Sequence, residues 1–313
     1  MASWTFALLL LGVVVAVMVQ YSELEEIKRL VKSLDGRWLL AAAALQAATY
    51  FCAAGVWDVA LVRQRRHVGV FRLVRLALLM LFANQAIPTA GLSGGAAVVH
   101  ALGRRRVPSS VAMGALLVGL MTTYIAYSLA IAVSALLLHI HAPSGRLVAI
   151  VVGFAAIAIG VPPGVVWYRR SLAPRLRRRL KRVQGIGSLL EAIERTPTRL
   201  LRDRVVLARA VALQLTELTL DAATLGVLLA AVGVRPSPAA VFGSYVIASA
   251  ISRFIPVPMG LGSSEAALVL MLRAVEIPLE PAVTATLLLR AFTFWLPMLP
   301  GLSVARQEFS KPR

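Results

Sequence analysis

Pro256-Val257-Pro258-Met259-Gly260-Leu261-Gly262-Ser263-Ser264-Glu265 interrupts an apolar run that extends from residue 239 to 272. Proline removes a backbone donor and glycine admits conformations closed to other residues, so a regular helix does not continue through such a stretch. The arms on either side hold about 14–18 residues, or roughly 21–27 Å of helix at 1.5 Å per residue. A comfortable bilayer span needs about 20 residues. Two short apolar arms around a break predict a re-entrant hairpin, which enters and leaves the membrane on one face. The same pattern stands earlier in the chain. There, Asn84-Gln85-Ala86-Ile87-Pro88-Thr89-Ala90-Gly91-Leu92-Ser93-Gly94-Gly95 interrupts the run 73–103.

Around the two broken runs lie continuous ones at 4–21, 38–62, 110–138, 147–168, 205–232 and 281–304. The expected fold class is an all-α polytopic membrane protein with six full transmembrane helices and two re-entrant helical hairpins. Of the 313 residues, 59% are hydrophobic and 15% charged, whereas a soluble domain carries about a quarter charged residues. That excludes an ordinary soluble enzyme, and no polar stretch is long enough for a separate globular domain. The net charge of +19 sits in loops between apolar runs, the placement that orients membrane proteins, so no nucleic-acid partner is expected. The lone Cys52 permits neither a disulfide framework nor a thiolate zinc site.

The whole chain, 1–313, reads as one integral membrane domain. Residues 1–37 form an anchor helix followed by an interfacial helix. The start, MASWTF, has no positive charge and no good small-residue cleavage site follows, which favours an uncleaved anchor over a signal peptide. Ser22 and Glu25 make a capping box, and Leu24, Ile27, Val31 and Leu34 share one face of the helix that follows. Residues 38–138 form a first repeat, 139–204 a span with a basic connector, 205–304 a second repeat and 305–313 a tail. Within the connector, Leu172, Leu176, Leu180 and Val183 recur at helical spacing among arginines. This reads either as a basic helix on an anionic leaflet or as a solvated topology determinant.

Charge placement supports the hairpins. With both re-entrant, segments 63–75, 104–109, 169–204 and the C-terminus share one side and hold 5, 3, 12 and 3 Lys/Arg. The other side holds seven, beside six acidic residues. Folding the first arm as a full span and the second as a surface loop weakens that asymmetry. The positive-inside rule then puts both termini in the cytoplasm of a multi-pass protein in a bacterial-type plasma (inner) membrane.

The two broken runs also resemble each other. Shifting the chain by 170 residues superposes Pro88 on Pro258, Ser93 on Ser263, Leu102 on Leu272, Pro108 on Pro278 and Thr123 on Thr293. In all, 11 of the 37 positions from 88 to 124 are identical. Given the sidedness above, the two units are inverted copies. Inverted repeats with broken helices meeting near the midplane characterise alternating-access transporters. A structural duplication without transport is the plainer alternative.

Each returning arm starts near the midplane, where free N–H groups and the helix dipole present partial positive charge. Gly91, Gly94, Gly95, Gly260 and Gly262 let backbone approach a ligand there, or simply permit tight helix packing. Ionisable residues inside spans cost about 2.5–3.5 kcal/mol each on insertion scales and mark functional sites. Arg253, Glu265 and Arg290 converge on the second break, as a cavity site or as a structural pair of Glu265 with Arg253 or Arg290. Asn84 and Gln85 are the polar counterparts at the first. The substrate-binding set is therefore Asn84, Gln85, Pro88, Ser93, Gly94, Gly95, Arg253, Pro258, Gly260, Gly262, Ser263, Ser264, Glu265 and Arg290. Glu217 and Asp221, one turn apart in the run 205–232, are candidates for ion or proton coupling, while Asp58 reaches water or Arg63. His100, His139 and His141 have no carboxylate at ligand spacing, so neither a metal site nor a cofactor is expected. Gly91-Leu92-Ser93-Gly94 fits the G-x-S-G pattern of rhomboid proteases, but the downstream histidines lie at the end of a span, and Ser93 reads better as a cap at the hairpin turn.

The two breaks, together with Arg290-Ala291-Phe292-Thr293-Phe294-Trp295 and Gly301 in the last run, resemble the lysylphosphatidylglycerol synthase transmembrane family, also called the flippase-like membrane domain family. The resemblance covers nearly the whole chain. It implies a lipid translocase, moving a lipid with a polar, anionic head group between leaflets. Anionic phospholipid, glycolipid and polyprenyl-phosphate lipid are the partners it suggests. Some members carry a fused domain that aminoacylates phosphatidylglycerol. Nine residues follow the last run here, so that domain and its enzyme activity are not expected. Gln85 departs from the family pattern, which often has a second Asn at that place, and this bears on the substrate more than on the fold. The alternative of another class is an accessory membrane subunit that presents lipid to a lipid-modifying enzyme.

Overall fold

The structure, a computed structural model, describes residues 34–86, 92–141, 199–254 and 263–309, with the backbone alone at 92, 137–141, 253–254 and 263. The runs 4–21 and 147–168, the interfacial segment 22–33 and the basic stretch 169–198 lie outside the described residues. Every regular element among the described residues is helical. In chain order they are α1 (Gly36–Arg63), α2 (Val70–Ala86), α3 (Leu92–Gly103), α4 (Ser109–His141), a 3-10 turn (Leu200–Arg202) and α5 (Arg204–Ala231). Then follow α6 (Pro238–Phe254), α7 (Ser263–Ala274), α8 (Leu279–Arg290), a π-helical turn (Ala291–Trp295) and α9 (Leu296–Phe309).

Among the described residues, four stretches are long and apolar enough to cross a membrane: Gly36–Arg63, Ser109–Leu136, Arg204–Ala231 and Leu279–Phe309. They coincide with four of the six continuous runs. The chain is thus a multi-pass membrane protein. Each of the two broken runs instead yields a 17-residue helix and a 12-residue helix, packed on each other. The described parts of the returning arms are the 12-residue helices Leu92–Gly103 and Ser263–Ala274; the residues of both breaks between the arms, 87–91 and 255–262, lie outside the described residues.

The likeness between the two halves extends to the backbone. The helix lengths run 28, 17 and 12 residues in each half. At the end of α3, the Val107 N–H reaches the Leu102 carbonyl (3.2 Å) with Arg106 at φ 59. At the end of α7, the Ile277 N–H reaches Leu272 (3.1 Å) with Glu276 at φ 66. Both are Schellman endings, and they lie 170 residues apart. A left-handed conformation is costly for a residue with a Cβ, by about 1–2 kcal/mol. Glu276→Gly is therefore expected to raise the stability of the purified protein by about 1 kcal/mol. A lowered thermal midpoint would show that the Glu276 side chain does something the backbone argument omits.

Each half has its own core. Ala54, Ala60, Leu73, Leu79, Ala97, Leu102, Ala112 and Ala115 bury one, and Leu225, Leu228, Ala267, Leu272, Ala282, Ala285 and Leu288 the other. Alanine is frequent at these contacts because close backbone approach, not water exclusion, drives helix packing in lipid. The halves interlock through α1 against α5. They also interlock through α9, whose Val304 and Ala305 belong to the first core while Phe292, just before it, belongs to the second. Gly301 permits that crossing, since a Cβ there would stand 2.8 Å from the Phe82 Cβ and 2.9 Å from the Leu78 carbonyl oxygen. At one end Asp203 caps α5, accepting from the Val205 N–H at 3.1 Å, and its carboxylate also pairs with Arg63 at the end of α1. The Arg63 partner is thus Asp203. The guanidinium holds the Asp203 carboxyl below the usual carboxylate range. Its contribution to stability is present above the unfolded pKa and fades as pH falls through the lower folded value.

Candidate functional site

Midway along α5, Glu217 and Asp221 face a cavity of about 380 Å³. Its other walls come from α1, α4, α6, the first half of α7, the second half of α8 and the π turn, with Leu81 of α2. The polar lining includes Gln46, Thr49, Tyr50, Tyr127, Tyr245, Ser249, Ser252, Ser264, Glu265, Thr286, Arg290 and Thr293. Thr49, Tyr127, Glu217 and Thr293 each fall near the middle of one of the four membrane-crossing stretches, which puts the cavity at mid-length of those stretches.

On one side is an ion pair. Arg290, only 8% exposed, pairs through Nη1 with Glu265 Oε1. The same Nη1 donates to Ser264 Oγ (3.2 Å), which donates in turn to Glu265 Oε2 (2.9 Å). The Phe294 ring lies 4.6 Å below the guanidinium carbon, a contact that strengthens as water is excluded. Glu265 falls in the first turn of α7, where a carboxylate complements the helix dipole. Arg290 ends α8 immediately before the π turn. Pro297 and Pro300 remove two backbone donors just beyond it, which loosens the helix there. Such π turns recur at functional sites.

On the other side both oxygens of Asp221 are engaged. Oδ1 accepts from Gln46 Nε2 and Oδ2 from the Tyr245 hydroxyl, each at 2.8 Å. Gln46 Nε2 also donates to Thr224 Oγ1 at 3.1 Å. This bonding ties α1 of the first half to α5 and α6 of the second. Gln46 is 4% exposed, so Gln46→Leu is expected to cost about 1–3 kcal/mol, the penalty for a buried acceptor left without its donor. Unchanged thermal unfolding in that variant would show that the bond is not held in solution.

The structure brings together Ser264, Glu265, Arg290, Glu217 and Asp221 of the expected residues. Of the two partners weighed for Glu265, it forms the Arg290 pair. Asn84, Gln85, Ser93, Gly94 and Gly95 do not line this cavity; Asn84, Ser93 and Gly94 bond within their own helix pair. Asn84 Oδ1 accepts from the Gly94 N–H at 2.8 Å, so a side chain of α2 caps the start of α3. Ser93, the residue expected to cap, donates its hydroxyl to the Ala83 carbonyl at 2.9 Å. Gln85 Oε1 is buried with no hydrogen-bond partner among the described residues. Pro88, Pro258, Gly260 and Gly262, with the side chains of Arg253 and Ser263, lie outside the described residues. The lining of Gln46, the three tyrosines and Ser249 and Ser252 was missed by sequence reasoning. Gln46 alone carried a signal, as a polar residue inside an apolar run. Among the described residues no group of His, Cys, Asp and Glu could hold a metal ion.

No curated protein matches this chain. A family model described as the lysylphosphatidylglycerol synthase TM region matches residues 4–301. With that match spanning almost the full length of an all-helical, multi-pass chain, the protein belongs to the lysylphosphatidylglycerol synthase transmembrane-region family, whose members are membrane proteins linked to lipid metabolism or transport.

Proposed function

We propose that the protein is a lipid translocase, a carrier rather than an enzyme, in which the head group crosses through the mid-depth cavity while acyl chains stay in the bilayer. The observation that carries this is the buried Arg290–Glu265 pair beside Asp221 and Glu217 in one cavity inside membrane-crossing helices. Charges are kept at such depth where they face a polar pathway. The pairs α2/α3 and α6/α7 are read as re-entrant hairpins, one from each face. The halves are read as inverted repeats that exchange conformations in an alternating-access cycle. The arginine-rich ends of α1, α3 and α9 lie on the cytoplasmic side of a bacterial-type inner membrane, with both termini there.

The lining sharpens the lipid class. Among the described residues it holds three carboxylates, Glu217, Asp221 and Glu265, against one guanidinium, Arg290. A head group with nothing but negative charge meets net repulsion. A phosphate reaching Arg290 and the start of α7, with an amine or several hydroxyls facing Glu217 and Asp221, meets complementary groups on both sides. Phospholipid, glycolipid and polyprenyl-phosphate lipids are read in that light. Protonation of Glu217 and Asp221 is the coupling step in this reading. Photoactivatable head-group lipids in nanodiscs provide the test. Cross-links that map to α5, α7 and α8 support the assignment; cross-links confined to the loops contradict it.

A further inference from the structure

The two halves repeat in backbone but not in how they are tied together. At the end of α3, Arg104 and Arg105 hold the end of α9. Arg105 grips the Glu308 carboxylate with both terminal nitrogens, Nη2 on Oε1 and Nη1 on Oε2 at 3.2 Å, while Nη1 also reaches the Ala101 carbonyl at 2.6 Å. Arg104 Nη1 donates to the Glu308 backbone carbonyl at 2.5 Å. Arg75 of α2 donates to Gln307 Oε1, and the His100 ring stacks on Phe309 with centroids 5.9 Å apart. Glu308 is 9% exposed. Guanidinium groups also complement the carbonyl end of a helix. A hairpin of the first half is therefore clamped to the last helix of the second, on the arginine-rich face. The Arg63–Asp203 pair joins the halves on that same face.

The positions that the repeat relates to this clamp do not carry its charges. Residues 170 away from Arg104, Arg105 and Glu308 are Ala274, Val275 and Leu138. At that end Arg273 turns its Nη1 onto the Ile277 carbonyl of its own turn, at 3.1 Å. Were the halves to exchange conformations, the tie on one face would not be reproduced by the repeat-related residues on the other.

From this asymmetry we infer that the Arg104/Arg105–Glu308 clamp is the gate latch on the arginine-rich face. It is closed in this structure and must break for the cavity to open to that face. This rests on the alternating-access reading above. The latch then sets the balance between the two states, because a contact present in one state alone shifts the population toward it. Opening is the step in which Glu308 leaves the guanidinium groups and α9 moves away from α3.

The test uses the full chain with Cys52→Ala and a reporter, Ser252→Cys, in the cavity wall. The rate of labelling by a charged, membrane-impermeant maleimide is measured in vesicles of each orientation. Glu308→Gln and Arg105→Met are each expected to raise labelling from the arginine-rich face about tenfold, with labelling from the opposite face falling. The exchange Arg105→Glu with Glu308→Arg is expected to reverse part of that rise, which separates a broken latch from a misfolded variant. Labelling from the arginine-rich face that stays at the parent rate in both monodisperse single variants overturns the latch. So does labelling that rises equally from both faces. Lipid flipping by the parent is measured in parallel. A face-specific shift in a parent that moves no lipid leaves the latch standing and removes the lipid assignment instead.

Discussion

Arg290→Ala is expected to reduce lipid flipping to the protein-free background and to destabilise the purified protein by about 3–5 kcal/mol, the usual consequence of removing one partner of a buried ion pair. Glu265 would lose the guanidinium and keep, within its own turn, only the Ser264 hydroxyl. Glu217 and Asp221 face the same cavity and would add repulsion rather than relief. Glu265→Gln is the milder change in stability, since a carboxamide oxygen still accepts from Arg290. It is expected to lose transport all the same. Pairing both neutral substitutions, Glu265→Gln with Arg290→Gln, distinguishes a site from a staple. Removing both charges together avoids the uncompensated buried charge, so stability is expected to recover while transport does not. A double variant that flips lipid at the parent rate would reduce the pair to a structural staple.

The second large effect concerns two adjacent glycines that look alike in the sequence. A Cβ on Gly94 would stand 2.5 Å from the Met80 carbonyl oxygen, with Asn84 Oδ1 closer still. Neither atom can yield cheaply, because one is backbone and the other caps α3. Gly94→Ala is expected to cost about 1–3 kcal/mol through overpacking, together with the Asn84 cap, itself about 1 kcal/mol. A Cβ on Gly95 would meet only Leu116 Cδ1, at 3.7 Å. There the lower backbone entropy of alanine acts alone, and Gly95→Ala is expected to be neutral or stabilising by about 0.5–1 kcal/mol. Thermal unfolding of the two variants side by side decides this. Equal midpoints would mean that α2 and α3 are not packed as described.

The four described membrane-crossing stretches were legible because lipid enforces a simple rule: apolar runs must be long enough to span, and backbone groups must be bonded internally. The offset of 170 was legible from Pro88/Pro258 and Ser93/Ser263. Its expression in the left-handed residues Arg106 and Glu276 was not, since neither is the glycine that such turns favour. Glu265, Arg290, Glu217 and Asp221 stood out as charges in apolar runs. Their distribution into two groups, with Asp221 bonded to Gln46 and Tyr245, depends on how α1 and α6 meet α5, and no local pattern encodes that. Asn84 and Gly94 were picked out for a ligand at the first break. The structure uses the Asn84 carboxamide to occupy the N–H that a ligand would have met. Glu308 was passed over as part of a polar tail, since a carboxylate beyond an apolar run gives no sign that three arginines of a distant hairpin converge around it.

Lipid movement itself is the most direct test. Purified protein is reconstituted into liposomes containing head-group-labelled lipids, anionic in one set and zwitterionic in another, and the label reachable by an external quencher is followed in time. Rapid loss of inner-leaflet label is expected with the parent protein, faster for the zwitterionic lipid, and background rates with Glu265→Gln at equal incorporation. Parent liposomes as slow as protein-free ones for every lipid, with and without an imposed proton gradient, would contradict translocation and leave lipid presentation to a partner enzyme as the reading to pursue.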